Sequence, residues 1–205
     1  PKGHFILSLG SADRVTAASD EGFILSGLSA SSVLIPITAG VIGNFSSTAF
    51  AFDGSTGSYA LAVGTYATGV VTLAGSYAGL NAGGSKALSY VDLTGYLSIN
   101  LGAFATYTLN ITARLYGKNG APSTPTDGTP LSSAVSVPAS FFGGFAIPSS
   151  DTVTTYTHFW VVFSGTVVFS GLGGGSGTPS VGAYVSEVAI YESVASTAFV
   201  SPDTS

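Results

Sequence analysis

The chain has 205 residues, enough for one large β-domain or two small domains with a buried core. Only 7% of them are charged, against roughly 25% in an ordinary soluble domain, while a hydrophobic fraction of 45% and an aromatic fraction of 12% exclude a disordered chain. The net charge is −5 and the few cations are scattered, which excludes direct nucleic-acid binding; they are Lys2, Arg14, Lys86, Arg114 and Lys118.

Two sulfur-containing residue types are missing from the sequence. It has no cysteine, which removes disulfides, thiol nucleophiles and cysteine-bound zinc, and it has no methionine. Pro1 in place of a methionine indicates processing, either by removal of an initiator methionine or by cleavage of a signal peptide. No apolar run approaches the roughly 18–20 residues of a membrane-spanning helix, so we expect no membrane span.

Short runs of β-branched, aromatic and alternating residues recur along the whole chain, and these runs predict strands. In chain order they begin at Phe5, Phe23, Ser32, Tyr59, Gly69, Tyr96, Tyr107, Ala134, Val153, Gly165 and Ala183. Many short strands at fairly regular spacing are typical of a sandwich, a jelly roll or a barrel. We therefore predict an all-β fold, a single jelly-roll-like β-sandwich domain over residues 1–205, with short antiparallel strands and Gly/Pro-rich loops.

The clearest strand runs from Tyr107 to Tyr116, where apolar and polar residues alternate over ten positions. This period of two indicates a half-buried strand with Leu109 and Ile111 on its inner face. The run is followed by Asn119-Gly120, the strongest short signal for a hairpin turn in the chain.

Three segments interrupt the strand pattern. Residues 11–22 concentrate charge and are interpreted either as a short helix capped by Ser11 or as a solvated loop. Residues 117–130 contain three prolines and are predicted to be a surface loop within one domain and not a linker. The glycine-rich residues 171–179 are predicted to be a second surface loop.

No motif predicts a catalytic site. The imidazoles are His4 and His158, and the second lies in an apolar aromatic run, which favours a packed histidine over a catalytic base. Glu187 and Glu192 are five residues apart, so an extended chain places them on opposite faces and not as a local acid pair. We predict that the chain is not an enzyme.

Cofactor and metal sites are not predicted either. The glycine run at 171–177 does not have the spacing of a phosphate-binding loop. Asp13, Asp20 and Glu21 offer oxygen ligands of the kind that calcium prefers, but their order matches no EF-hand, and a solvated acidic turn is favoured. Two glycosylation sequons begin at Asn44 and Asn110, and both are expected by chance in a chain so rich in Ser and Thr.

Exposed aromatic rings would be needed by a flat carbohydrate site. Tyr66, Tyr77, Tyr116 and Tyr191 lie near predicted strand ends or on outward faces, although packing within the sheet is the favoured interpretation of each. Trp160, between Phe159 and Phe163, is predicted to lie in the core.

Charges keep free monomers soluble and protect sheet edges. A chain with so few of them predicts a surface that is covered by copies of itself. The main functional prediction is therefore a non-enzymatic structural subunit that assembles into a virus particle, as a capsid, decoration or fibre protein, or into an extracellular filament. The alternative is a carbohydrate-binding or adhesin β-sandwich module.

The expected partners are copies of the chain, with other virion or surface proteins and glycans as further candidates, and the expected location is a virion or the cell exterior. Residues 1–10 alternate apolar and polar side chains and are predicted either as a strand exchanged between subunits or as an edge strand of the domain itself.

Overall fold

The structure is a computed structural model that describes residues 31–37 and 39–194, together with the backbone of two short strands nearer the N-terminus. Two compact units are distinguished in the chain, and the β-sandwich described below belongs to the unit of residues 33–193. The other unit contains Thr16–Ala17 and Phe23–Ile24, which pair as antiparallel strands. The predicted strand at residues 1–10 and the acidic residues Asp13, Asp20 and Glu21 lie outside the described residues.

The regular secondary structure of the described residues is β-strand apart from one 3-10 helix at Thr48–Phe52. The strands are β1 (Thr16–Ala17), β2 (Phe23–Ile24), β3 (Ser31–Leu34), β4 (Val41–Gly43), β5 (Ala60–Val63), β6 (Thr65–Ala67), β7 (Val70–Asn100), β8 (Phe104–Lys118), β9 (Thr129–Pro130), β10 (Val135–Ser136), β11 (Phe145–Pro148), β12 (Thr155–Leu172) and β13 (Ser180–Val194).

The long strand β7 belongs to both layers of the sandwich. Its first half pairs with β12, which pairs in turn with β8, and the short strands β4, β6, β9 and β10 extend this first layer. Its second half pairs with β13 and β11, and β3 and β5 lie beside β13 in the second layer. The partner changes between Ala87, which pairs with β12, and Leu88, which pairs with β13. The pairing with β12 is interrupted between Asn81 and Lys86, a stretch that contains Gly83, whose φ of 70° is accessible to glycine at little cost.

The core lies between the two layers. Leu73, Ile111 and Val161 point into it from the first layer, and Leu93 and Ile190 from the second, all at most 1% exposed. The alternation predicted for Tyr107–Tyr116 is confirmed, because Ile111, Ala113 and Leu115 are buried while the residues between them are not. The predicted all-β, antiparallel sandwich class is likewise confirmed.

The prediction of uniformly short strands is wrong for two of them. The runs that begin at Gly69 and Tyr96 both belong to the 31 residues of β7, and those at Val153 and Gly165 both belong to β12. Glycines that resemble turn signals are needed inside the sheet, since a Cβ at Gly79 would overlap the backbone of Phe159 and Trp160 on the neighbouring strand.

One local prediction is wrong, and one of the two alternatives for residues 11–22 is excluded. Asn119-Gly120 does not close a hairpin, because its polar groups bond across to β12 instead: the Asn119 side chain accepts the Thr157 N–H, and the Gly120 N–H donates to the Thr157 hydroxyl. A helix over residues 11–22 is excluded at Thr16–Ala17, which is β1.

The two predicted loops both pack against the sandwich. The loop of residues 117–130 crosses the outer face of the first layer, where the Pro125 carbonyl accepts the indole N–H of Trp160 at 2.7 Å. The loop of residues 171–179 is hydrogen-bonded to Ala103, at the turn between β7 and β8.

A single domain over residues 1–205 stays a prediction. In the part of the chain that the structure describes, no helix is long and apolar enough to cross a membrane.

Candidate functional site

The outer face of the second layer carries a row of polar and aromatic side chains along β7. Tyr90, Asp92, Thr94 and Tyr96 are half-buried and alternate with fully buried residues of the core. This period of two means that the four side chains share the outward face of one strand.

A matching row lies on β13, and a β-bulge keeps it on the same face. Tyr191 is opposite Tyr90, Glu187 is opposite Thr94, and Tyr184 is opposite Tyr96. The register shifts between Val185 and Glu187, and the extra residue, Ser186, is buried, with its hydroxyl donating to the Thr94 carbonyl at 3.2 Å. Without the bulge, Tyr184 and Tyr191 would point to opposite faces, because they are separated by an odd number of residues.

The facing tyrosines form two stacked pairs. The ring centroids of Tyr90 and Tyr191 are 4.3 Å apart at an interplanar angle of 12°, and those of Tyr96 and Tyr184 are 4.9 Å apart at 6°. Tyr90 and Tyr96 are six positions apart on β7, which corresponds to about 20 Å along an extended strand at about 3.3 Å per residue.

Two further rings extend the pair formed by Tyr96 and Tyr184. Tyr59, just before β5, is perpendicular to both rings, at 5.7 Å from Tyr96 and 6.0 Å from Tyr184. Phe142 lies against Tyr96 at 5.1 Å and is 54% exposed. We call the six rings the aromatic face: Tyr59, Tyr90, Tyr96, Phe142, Tyr184 and Tyr191.

Backbone hydrogen bonds fix the segments that carry the outer rings. Phe142 follows a segment bound to β7, in which the Leu97 N–H donates to Ala139 and the Phe141 N–H donates to Gly95. Tyr59 follows a turn in which the Asp53 carboxylate accepts hydrogen bonds from the Ser55 N–H and the Ser58 hydroxyl. The rings are therefore held by the fold before any ligand arrives.

Carboxylates share this face with the rings. Burial raises the pKa of Glu187, which also accepts a hydrogen bond from the Gly54 backbone and lies near the Asp53 carboxylate. The pKa of Asp53 is lowered by its hydrogen bonds from Ser58 and Ser55. Burial beside Tyr191 raises the pKa of Tyr90, so its hydroxyl is neutral and able to donate at physiological pH.

The chemistry that this face offers is recognition. Tyrosine rings present apolar surfaces to the C–H groups of a ligand, and their hydroxyls with the nearby carboxylates offer hydrogen bonds.

The imidazole of His158 lies in the first layer, bonded to the Thr157 hydroxyl at 2.9 Å, and burial lowers its pKa. Among the described residues, no group of three or more His, Cys, Asp or Glu side chains is placed to hold a metal ion.

Of the aromatic residues singled out from the sequence, only Tyr191 belongs to the aromatic face. Tyr116 is 7% exposed and stacks on Trp160, while Tyr77 packs against the same small cluster. Tyr66 is an exposed residue of β6, and its hydroxyl accepts the N–H of Gly69 in the turn before β7. Trp160 is buried, but on the side of β12 away from the main core.

The other five rings of the aromatic face were missed from the sequence. Tyr90 and Tyr96 carried a usable signal, because they are an even number of residues apart within one alternating run. Tyr59, Phe142 and Tyr184 carried none, since their proximity depends on pairings between distant segments.

The comparisons with known proteins concern the fold. No protein-family model and no curated protein matches the sequence. A solved CBM32 module of AlyQ, in complex with 4,5-unsaturated mannuronic acid, is 15% identical with a TM-score of 0.49, over 77% of this chain and 97% of that chain. Chitosan-binding module 1 from a Paenibacillus sp. IK-5 chitosanase/glucanase is 15% identical with a TM-score of 0.48, over 78% and 98% of the two chains. The family 32 CBM from C. perfringens NanJ, in complex with galactose, is 15% identical with a TM-score of 0.46, over 78% and 99%.

These findings overturn the main functional prediction, a self-assembling subunit of a virus particle or filament. The three solved structures described above are carbohydrate-binding modules and not particle subunits, and the comparisons give no support to virion partners or a virion location.

The physical error lay in the interpretation of the missing charge. Hydroxyl groups form hydrogen bonds without carrying charge. Thr106 and Ser170 supply such groups at exposed positions of the first layer, where their hydroxyls are 3.0 Å apart. A charge-poor surface therefore does not have to be covered by copies of the chain.

Proposed function

We propose that the chain is a non-catalytic carbohydrate-binding module that works outside the cell and binds glycans on its aromatic face. The observation that carries the proposal is the set of six rings on one outward sheet face. In a sandwich of this size, large apolar rings are expected in the core unless the surface uses them.

The geometry of the face suits an extended glycan. The two stacked pairs lie on the same two strands, so a linear oligosaccharide following the strands would contact both. Tyr59 and Phe142 widen one end of the face, where the exposed Phe142 ring offers most of its surface to a sugar. The rings are already ordered by stacking and by hydrogen-bonded segments, which lowers the entropic cost of binding.

The experiment is a screen of the full-length chain against soluble and immobilised polysaccharides, followed by titration calorimetry with the best oligosaccharide. We expect saturable binding that weakens by about tenfold or more in Phe142→Ala and in Tyr59→Ala, because aromatic side chains often contribute a large share of binding energy. Both side chains are accessible at the surface, so the variants should stay folded by circular dichroism.

Tyr66→Ala is the matched control, because it removes an exposed tyrosine from the other layer. It should leave the affinity unchanged. The absence of binding to every glycan by the folded chain, or an equal loss in all three variants, would contradict the proposal.

A further inference from the structure

Two carboxylates lie between the stacked tyrosine pairs. Asp92 is on β7 between Tyr90 and Tyr96, and Glu187 is on β13 between Tyr184 and Tyr191. Asp92 is opposite Ala189 and Glu187 is opposite Thr94, so the two acids are diagonal neighbours, which in antiparallel pairs lie about 7–8 Å apart. A ligand that contacts both pairs has to pass over both carboxylates.

No unpaired cation of the described part of the chain neutralises them. The Lys86 ammonium is 2.8 Å from Glu192, and the Lys118 ammonium is paired with Asp127 in the loop of the first layer. Arg114 also belongs to the first layer, where it donates to the Ser132 carbonyl and lies over the Tyr116 ring. With Asp53 near Glu187, the centre of the aromatic face is surrounded by negative charge.

The local environment makes these charges effective. Both carboxylates are half-buried, and interactions between charges near a protein surface are several times stronger than in bulk water. Burial raises the pKa of Glu187, and a hydrogen bond from the Gly54 backbone acts in the opposite direction by stabilising the charged form. The Glu187 carboxylate is thus held in place on the face.

We propose that the aromatic face selects glycans by charge: it binds amino-sugar oligomers more tightly than neutral ones and rejects polyuronates. The inference rests on the proposed function, since it assumes that glycans bind to this face. An ammonium group over Asp92 or Glu187 gains a charge-assisted hydrogen bond, a neutral hydroxyl donates a weaker one, and a sugar carboxylate is repelled.

The test uses linear, similarly linked hexose oligomers of equal length that differ in one substituent: glucosamine, glucose and a uronic acid. Titration calorimetry of the full-length chain at pH 6, where glucosamine is protonated, should give affinities that fall in this order, by about fivefold or more per step. High salt should reduce the differences in affinity between the three oligomers, because it screens charge interactions but leaves ring contacts intact.

The deciding variant is Asp92→Asn with Glu187→Gln, which keeps size and hydrogen-bonding capacity while removing both charges. In this variant the glucosamine and uronate oligomers should bind within about twofold of the glucose oligomer. Asp151→Asn, a charge removal in the loop before β12, should retain the wild-type order.

The failure of this inference and the failure of the proposed function are distinguishable. Equal affinities for the three oligomers, tighter binding of the uronate, or an unchanged order in the double variant would overturn the charge selection while leaving glycan binding intact. If none of the three oligomers binds, and no other glycan binds in the screen above, the proposed function itself falls.

Discussion

At the scale of single residues, Gly95 is the point where the aromatic face depends on the absence of a side chain. A Cβ at this position would overlap the Tyr184 carbonyl oxygen and approach the Phe141 ring to 2.9 Å. We expect Gly95→Ala to lower the free energy of unfolding by about 1–3 kcal/mol, because the added methyl group forces β7 and β13 apart. Urea unfolding followed by circular dichroism measures the change.

Gly84→Ala is the control for this prediction. It lies on the same strand, and its Cβ would meet no atom within 4 Å. Its effect should stay within about 0.5 kcal/mol, as for other surface substitutions. Equal stability of the two variants would show that β7 and β13 tolerate a side chain at Gly95.

The sequence predicted the side-chain orientation of some residues and not of others. The two-residue alternation of side chains along a strand correctly predicted that Ile111, Ala113 and Leu115 are buried, because β8 is regular there. The same rule fails between Tyr184 and Tyr191, where Ser186 forms a bulge. A bulge depends on the partner strand, β7, which is about ninety positions away in the sequence, so no local pattern contains it.

At the scale of elements, the loop of residues 117–130 acts as a cover over Trp160. It is fixed by Asp127, whose carboxylate accepts hydrogen bonds from the Lys118 ammonium and from the hydroxyl and N–H of Ser123. Gly128 lies against the indole ring, where a Cβ would be 2.6 Å away from it. The sequence predicted the loop but not its packing, because the face on which Trp160 lies is set by the pairing of β12 with its neighbours.

We expect Asp127→Ala to loosen this loop and expose Trp160. Trp160 is the only tryptophan of the chain, so its fluorescence emission reports the loop directly. The emission should shift to longer wavelength and become more sensitive to acrylamide quenching, whereas Asp53→Asn, in a turn of the second layer, should leave it unchanged. An unchanged spectrum in Asp127→Ala would mean that the loop is held by its other contacts.

Because the Asp127 carboxylate fixes the loop, we expect the Trp160 emission to depend on pH. The hydrogen bonds from Lys118 and Ser123 hold the pKa of Asp127 well below its usual value. A lowered pKa means that its stabilisation is fully present above about pH 4, the ordinary value of the group, and is lost as the pH falls through the lower folded value. Trp160 emission should therefore be constant from neutral pH down to about pH 4 and change only in stronger acid, a step that Asp127→Ala should lack.

At the scale of the whole sandwich, β7 joins the two layers covalently and through hydrogen bonds. Its first half pairs with β12, which carries Trp160, and its second half pairs with β13, which carries half of the stacked tyrosines. A core shared by both layers lies between the two halves. Elements that share one core and one long strand are expected to unfold in a single transition.

Leu93→Ala tests this coupling because Leu93 is fully buried in the second layer, whereas the fluorescent reporter, Trp160, lies in the first. Removing the side chain should lower the free energy of unfolding by about 2–5 kcal/mol through lost contacts and a cavity. Urea unfolding should then show the same shift in midpoint by Trp160 fluorescence as by circular dichroism of the whole chain. Val153→Ala, at a position that is 82% exposed, should shift neither signal. A midpoint that moves by circular dichroism alone would show that the layers unfold separately and that β7 does not couple them.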